Sequence, residues 1–318
     1  MRRRHSVYRL ATVSTLGLLL SSSVFRLPSK ESTAHAAPAT ASTMPIAKPV
    51  PVQSQPHPVA SVGLEHPPGV RHVVIISEDG MRPDLIYGQN MYWHEQLYRN
   101  GSFTWKARTI RTASTLPSHA SMLSGVDVDQ HGLTWNTWLK TRGYIRVPTI
   151  FQAAEEGGLK TAAFVGKPKL RHIMPEGTVD VFARPGYYCK KVSDEAARYL
   201  TKEKPGLLFV HFSDPDEAGH SDGWMTASYR KAALASDACL GTIYRALQEA
   251  NMLDDTLVIV SADHGGHARG HTGALPSDRE IPWIASGPGV RRGYHIRSNI
   301  STMDTAATAL AVLGLSPL

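Results

Sequence analysis

Six side chains of types that bind divalent ions recur along this sequence: Asp79, Asp216, His220, Asp263, His264 and His271. Carboxylate together with imidazole suits zinc or a similar borderline ion. The densest stretch is Ser261-Ala-Asp-His-Gly-Gly-His-Ala-Arg-Gly-His271, and His267 competes with His271 for a ligand role there. Six ligands can divide into two sites of three. A pair of ions about 3.5–4 Å apart can activate an attacking oxygen and stabilise a leaving one in phosphoryl transfer. The hydroxyl best placed to attack is Thr115, in Thr112-Ala-Ser-Thr-Leu-Pro-Ser-His-Ala-Ser-Met-Leu-Ser-Gly125. A hydroxyl is a weak nucleophile until deprotonated, and a coordinated metal removes the need for a neighbouring base. Pro117 and the helical pattern behind it set Thr115 just ahead of a helix N-terminus, where N–H groups and the dipole favour an anion. An ordinary threonine cap would read the same way.

These residues need a frame, and the hydrophobic pattern supplies one. Apolar β-rich runs at His72–Ser77, Lys160–Val165, Val179–Phe182, Gly206–Phe212, Thr256–Val260 and Ile281–Ala285 predict strands. Pro282 suggests that the last is an edge strand or a strand start. Helical patterns run from Pro83 through Tyr98, from Thr149 to Glu156, from Ser193, from Tyr229 to Ala250, and from Thr302 to Leu313 before Gly314. Strands alternating with helices predict an α/β fold with a mainly parallel central sheet covered on both faces. In such sheets ligands collect beyond the carboxyl ends of the strands. Asp79, Asp216 with His220, and Asp263 with His264 all follow predicted strands.

Taken together, Ile-Ser-Glu-Asp79-Gly-Met-Arg-Pro-Asp, Thr115-Leu-Pro-Ser-His, Pro215-Asp216-Glu-Ala-Gly-His220, Ser-Ala-Asp263-His264-Gly and Gly-His271-Thr resemble the alkaline phosphatase superfamily. The branch they resemble most is the type I phosphodiesterase/nucleotide pyrophosphatase family. Ile281-Pro-Trp-Ile-Ala-Ser-Gly-Pro-Gly289 completes a likeness spanning roughly residues 70–316. The resemblance implies an alkaline phosphatase-like α/β/α sandwich. It implies that Asp216, His220 and His271 hold one metal, and that Asp79, Asp263 and His264 hold the other together with the Thr115 oxygen. It also implies a hydrolase of phosphoric diesters or pyrophosphates that works through a phospho-threonine intermediate. A phosphomonoesterase on the same core and a non-catalytic metal-stabilised binding module are the rivals. One departure bears on substrate. The family usually carries Asn three residues after the nucleophile, and here that position is Ser118, a shorter substrate-binding donor. Oxyanion stabilisation then leans more on backbone N–H groups, or Ser118 acts through water, and diester preference is open to question. The Thr115 stretch also resembles the sulfatase signature, but threonine cannot be oxidised to the formylglycine aldehyde that sulfatases use. Lys167, Lys169 and Arg171 could reach a substrate phosphate, although a solvated basic loop is the plainer reading.

The bulk properties bound the partners. Apolar residues make up 42% of 318, enough for one large core. Arg2-Arg3-Arg4, an apolar stretch from Leu10 to Phe25 and Ala34-His35-Ala36 read as a signal peptide at 1–36. That predicts an exported protein, periplasmic or secreted, with no stable membrane span once cleaved after Ala36, an uncleaved membrane anchor being the alternative. Residues 37–68 read as a Pro/Ala/Ser-rich linker, and 69–318 as the phosphohydrolase domain. Of 34 basic and 27 acidic residues, six and one fall within 1–36, leaving 28 against 26. The near-neutral remainder implies no nucleic-acid partner. A small phosphate ester is the expected partner. Cys189 and Cys239 could pair in an oxidising compartment or serve as two buried thiols.

Overall fold

A computed structural model describes residues 69–318, so the expected signal peptide at 1–36 and the linker at 37–68 lie outside the described residues. In chain order the elements are β1 (His72–Glu78), α1 (Pro83–Gly88), α2 (Tyr92–Arg99), β2 (Ser102–Arg108), α3 (Thr115–Ser124), α4 (Val128–His131), α5 (Ile150–Glu156), β3 (Thr161–Val165), β4 (Val181–Ala183) and α6 (Cys189–Glu203). There follow β5 (Leu207–Phe212), α7 (Asp214–Asp222), α8 (Ala227–Glu249), β6 (Thr256–Ser261), α9 (Pro276–Arg279), β7 (Glu280–Ser286), β8 (Tyr294–His295) and α10 (Asp304–Leu313). Short 3₁₀ turns occupy Lys140–Arg142, Pro168–Ile173 and Leu253–Asp255.

The strands form one sheet in the order β4-β3-β5-β1-β6-β7-β2-β8. Pairings from β4 to β6 are all parallel, and β7 alone runs against its neighbours. The inner strands are buried on both faces, which is why their sequences are unbroken apolar runs rather than alternations. Alternate residues nevertheless enter different cores. Val73, Ile75, Phe209 and Ile259 pack with Leu116 and Ala120 of α3, Phe151 of α5 and Leu310 of α10. Val74, Ile76, Val210 and Val260 pack with Val192, Ala196 and Leu200 of α6 and Leu240, Ile243 and Leu247 of α8. The result is the expected α/β/α sandwich.

Three expectations need correction. The strand carrying Pro282 is β7, which lies inside the sheet between β6 and β2. Its missing N–H is tolerated because β2 bulges there: the register slips between Thr104 and Ala107, so two residues face the one proline. The helix expected from Pro83 to Tyr98 is two, broken after Gly88, where Gly-Gln-Asn is a poor helix sequence. The helix expected from Ser193 starts at Cys189, because Asp214, from another element, accepts the Cys189 N–H at 2.7 Å and caps it. Cys189 and Cys239 are disulfide-bonded, joining α6 to α8. Among the described residues no helix is long and apolar enough to cross a membrane.

Candidate metal centre

The carboxyl ends of β3, β5, β1 and β6 lie side by side in the sheet, and each delivers a charged or ligating side chain. β1 gives Asp79 on a turn at Gly80. β6 gives Asp263 and His264, and β3 gives Lys167. β5 runs into α7, whose one-turn spacing sets Asp216 and His220 on a shared face. Thr115 is the first residue of α3, after a loop from β2, and is 1% exposed.

Each of the three carboxylates divides its oxygens in the same way. Asp79 Oδ2 accepts from His211 Nε2 at 2.9 Å and from Lys167 Nζ at 2.7 Å. Asp216 Oδ2 accepts from Lys167 Nζ as well. Asp263 Oδ1 accepts the N–H groups of Gly80 and His264, both at 3.0 Å. The other oxygens, Asp79 Oδ1, Asp216 Oδ1 and Asp263 Oδ2, are buried without a hydrogen-bond partner, and so is His264 Nε2. They face one another: His264 Nε2 lies 3.5, 3.9 and 3.3 Å from them respectively. Buried polar atoms left unpaired are costly unless something else satisfies them, and a divalent cation fits this donor set. Two groups lie within ligand reach, Asp79, Asp263 and His264, and Asp216, His264 and His271. His220 Nε2 is 3.4 Å from Asp216 Oδ1 and 3.1 Å from His271 Nε2.

The imidazoles are oriented for the same task. His264 Nδ1 donates to the Gly265 carbonyl at 2.9 Å, His271 Nδ1 to Ala113 at 2.5 Å and His220 Nδ1 to Arg269 at 3.0 Å. A carbonyl can only accept, so each Nδ1 carries the proton and each Nε2 keeps its lone pair toward the centre. Burial, reinforced by neighbouring His264, holds His271 down at about 4, and burial lowers His264 too. Both are neutral at physiological pH, as ligation requires. Burial alone would raise Asp79, but Lys167 and the His211 hydrogen bond hold it well below the usual carboxylate range. Burial and the Asp79 charge push Asp263 well above that range.

All seven residues expected to carry the chemistry therefore sit at one end of the sheet. His267 is elsewhere, with Nδ1 2.6 Å from Asp278 Oδ1. His119 braces α3, donating to the Thr115 carbonyl at 2.7 Å and accepting from Ser77 Oγ at 2.8 Å. Ser118 departs from expectation. It is 0% exposed, donates to the Asp263 carbonyl at 2.6 Å and pairs with Thr109 Oγ1 at 2.5 Å, so its hydroxyl is spent on seating α3 against the β6 exit. The polar group at the Thr115 end of α3 is instead Asn136, whose Oδ1 accepts from Leu116 N–H at 2.9 Å and Lys169 Nζ at 3.1 Å. The solvated-loop reading also fails for Lys167, which is 4% exposed. Burial works against its charge, but Asp79 and Asp216 raise its pKa.

Behind Asp79 lies a second buried network. Glu78 and Asp237 grip His94, at 2.7 Å to Nε2 and 2.7 Å to Nδ1, and Ser236 donates to Glu78 at 2.5 Å. Burial pulls His94 down, but Glu78 and then Asp237 outweigh it and raise its pKa to about 9.

The sequence profile of the type I phosphodiesterase / nucleotide pyrophosphatase family matches residues 73–271. Human ectonucleotide pyrophosphatase/phosphodiesterase family member 1 is 23% identical over 236 residues, covering 68% of this chain and 25% of that protein. The 2,3-bisphosphoglycerate-independent phosphoglycerate mutase of Nitrosococcus oceani is 24% identical over 247 residues, covering 74% and 44%. The chain thus spans less than half the length of these curated relatives. Among solved structures, murine ectonucleotide pyrophosphatase / phosphodiesterase 5, an inactive variant in complex with AMP, superposes with a TM-score of 0.67 at 13% identity, over 78% of this chain and 96% of that one. The phosphonate monoester hydrolase of Agrobacterium radiobacter gives 0.61 at 18% identity, over 78% and 74%. These likenesses show a shared fold.

Proposed function

The chain belongs to the type I phosphodiesterase / nucleotide pyrophosphatase family, and from that premise we propose that it hydrolyses phosphoric esters with Thr115 as nucleophile. Diesters or pyrophosphates are the first substrate class. The observation that carries the reading is the convergence of four buried, unpartnered atoms, Asp79 Oδ1, Asp216 Oδ1, Asp263 Oδ2 and His264 Nε2. In this reading Asp216, His220 and His271 would hold one divalent ion, and Asp79, Asp263 and His264 the other, with zinc the best match to the donors. Two ions bound there would supply the positive charge that lowers the Thr115 hydroxyl pKa and balances the phosphoryl and leaving-group oxygens.

The chain's own residues do the rest. Thr115 Oγ1 attacks phosphorus in line, a P–O bond to the alcohol breaks, and phospho-threonine forms. Water then attacks the same phosphorus from the vacated side, releasing phosphate or its monoester and returning the hydroxyl. The Asn136 side-chain NH2, held at the positive end of α3 by the Leu116 N–H that its Oδ1 accepts, offers a hydrogen bond to a phosphoryl oxygen. A phosphomonoesterase is the second reading, favoured by the cation Lys169 beside Asn136. Residues 69–318 form the hydrolase domain in this proposal, and export rests on the signal-like pattern at 1–36.

The test uses zinc-loaded protein with p-nitrophenyl phosphate and bis-p-nitrophenyl phosphate. Thr115→Ala should lower turnover on the order of a thousandfold or more, with zinc content unchanged. An acid quench of the wild type should yield a phosphorylated Thr115 peptide. Retained turnover in the variant would remove Thr115 from its role. Tight zinc binding with neither substrate consumed would leave the non-catalytic binding module as the reading.

A further inference from the structure

His267 is the imidazole of the 261–271 stretch that stays out of the centre, yet it is not a loose surface group. Its Nδ1 donates to Asp278 Oδ1 at 2.6 Å, across eleven residues of chain. Asp278 is 0% exposed, and its other oxygen is buried without a hydrogen-bond partner. Among the described residues His267 is therefore the one side chain bonded to this carboxylate, a group that is costly to bury unless paired. The intervening loop passes directly over the pair. A Cβ on Gly273 would lie 2.6 Å from Asp278 Oδ2, closer than any side chain allows.

The pair holds a tight turn. His267 and Gly270 exchange both backbone hydrogen bonds, each at 2.9 Å. Ala268 between them has φ +45°, a left-handed conformation that is unfavourable for a residue with a Cβ and persists only where the surroundings impose it. Two carbonyls of the turn serve α7. Ala268 O accepts the Trp224 N–H at 2.8 Å, just past the end of that helix, and Arg269 O accepts His220 Nδ1 at 3.0 Å. The residue that follows the turn is His271. Ahead of it, the N–H groups of Gly265 and Gly266 are tied to the carbonyls of Asp278 and Ser277. Beyond His271, among the described residues, no backbone hydrogen bond links residues 272–274 to another element. The His267–Asp278 pair is thus the clasp that closes this loop.

We propose that His267 is a positioning residue for one of the two ion sites. Clasped to Asp278, it fixes the turn that delivers His271 and orients the ring of His220, and so sets the affinity of the Asp216–His220–His271 site. The Asp79–Asp263–His264 site is carried by the β1 and β6 exits, ahead of the turn, and does not depend on the clasp. The role rests on the proposed division of the ligands between two ions. A hydrogen-bonded partner behind a metal-binding histidine is commonly worth about 10–100-fold in metal affinity, and here one clasp stands behind two such histidines.

The experiment compares wild type, His267→Ala and His267→Asn as full-length proteins, stripped of metal and titrated with zinc against a chromophoric chelator. The Asn amide can donate to Asp278 in place of Nδ1 but brings no imidazole. His267→Ala should weaken one of two zinc-binding steps about tenfold or more and leave the other unchanged, and His267→Asn should recover most of the loss. In a His271→Ala background, which retains the Asp79–Asp263–His264 site, adding His267→Ala should leave the remaining zinc affinity as it was. Trypsin cleavage after the exposed Arg269 should be faster in metal-free His267→Ala than in wild type or His267→Asn. Equal weakening of both steps, or of neither, overturns the proposal. So does a His267→Asn protein as impaired as His267→Ala, which would make His267 a ligand. If the wild type binds fewer than two zinc ions, the two-ion reading fails by itself and cleavage at Arg269 decides about the clasp. Equal rates in wild type and His267→Ala then overturn it.

Discussion

At the scale of single residues the centre is arranged by hydrogen bonds that use up every atom not pointing inward. The backbone and Lys167 hold one oxygen of each carboxylate, and backbone carbonyls hold each Nδ1. His94 does related work one layer down, as a cation between Glu78 and Asp237, immediately behind Asp79. Its folded-state pKa of about 9 lies above the ordinary value, so its contribution is fully present below about pH 6.5 and is lost as pH rises through about 9. The difference corresponds to about 3 kcal/mol. Urea unfolding of wild type should therefore lose about that much more stability between pH 6 and pH 10 than His94→Gln does. A pH-independent gap between the two proteins would show that His94 is neutral in the fold. The ligand types were legible in the sequence because the chemistry admits few alternatives. His211 and Asn136 were not, since each reaches the centre from a distant stretch and follows no fixed spacing, and Lys167 stood out only as a possible phosphate contact, not as the partner of Asp79 and Asp216. The bonds of Ser118 to Thr109 and the Asp263 carbonyl were not legible either, because a position after Thr115 does not say what its side chain meets.

The elements set how tightly these residues approach. The β1 exit turns at Gly80 with φ +71°, and a Cβ there would lie 2.9 Å from the Asp216 Cα. Gly80 O also accepts Trp224 Nε1 at 2.9 Å and Tyr229 Oη at 2.8 Å, while its N–H holds Asp263. The turn thus fixes the spacing between Asp79 and α7. Gly80→Ala should destabilise the fold on the order of 2 kcal/mol, from backbone strain and displacement of α7. It should also weaken zinc binding in a chelator competition. Unchanged zinc affinity would mean that α7 is placed by something other than this turn. Buried strands were readable from their apolar runs. Helix α7 was not, because Asp-Pro-Asp-Glu-Ala-Gly-His-Ser-Asp carries no apolar stripe, although its helical state is what aligns Asp216 with His220. Strand β2, at the half-exposed side of the sheet, was missed as well. Its apolar residues merely alternate, and its bulge interrupts even that period.

Across the whole molecule, the ligands come from segments nearly 200 residues apart, and one parallel sheet gathers them because its middle strands all end on the same side. The topology was predictable as a class from alternating strands and helices. The placement of β7 was not, since the bulge that admits Pro282 belongs to another strand. The Cys189–Cys239 bond closes a loop that contains β5 and α7, and with them Asp216 and His220. A protease that cuts once between residues 190 and 238 therefore opens a ring and frees no fragment. Limited trypsin digestion in that interval should leave one band of full mass on a non-reducing gel and two pieces after reduction. Two pieces without reductant would mean that the thiols are free. A clipped chain of this kind keeps both halves of its centre tethered, so damage to the backbone here need not end in dispersal of the parts.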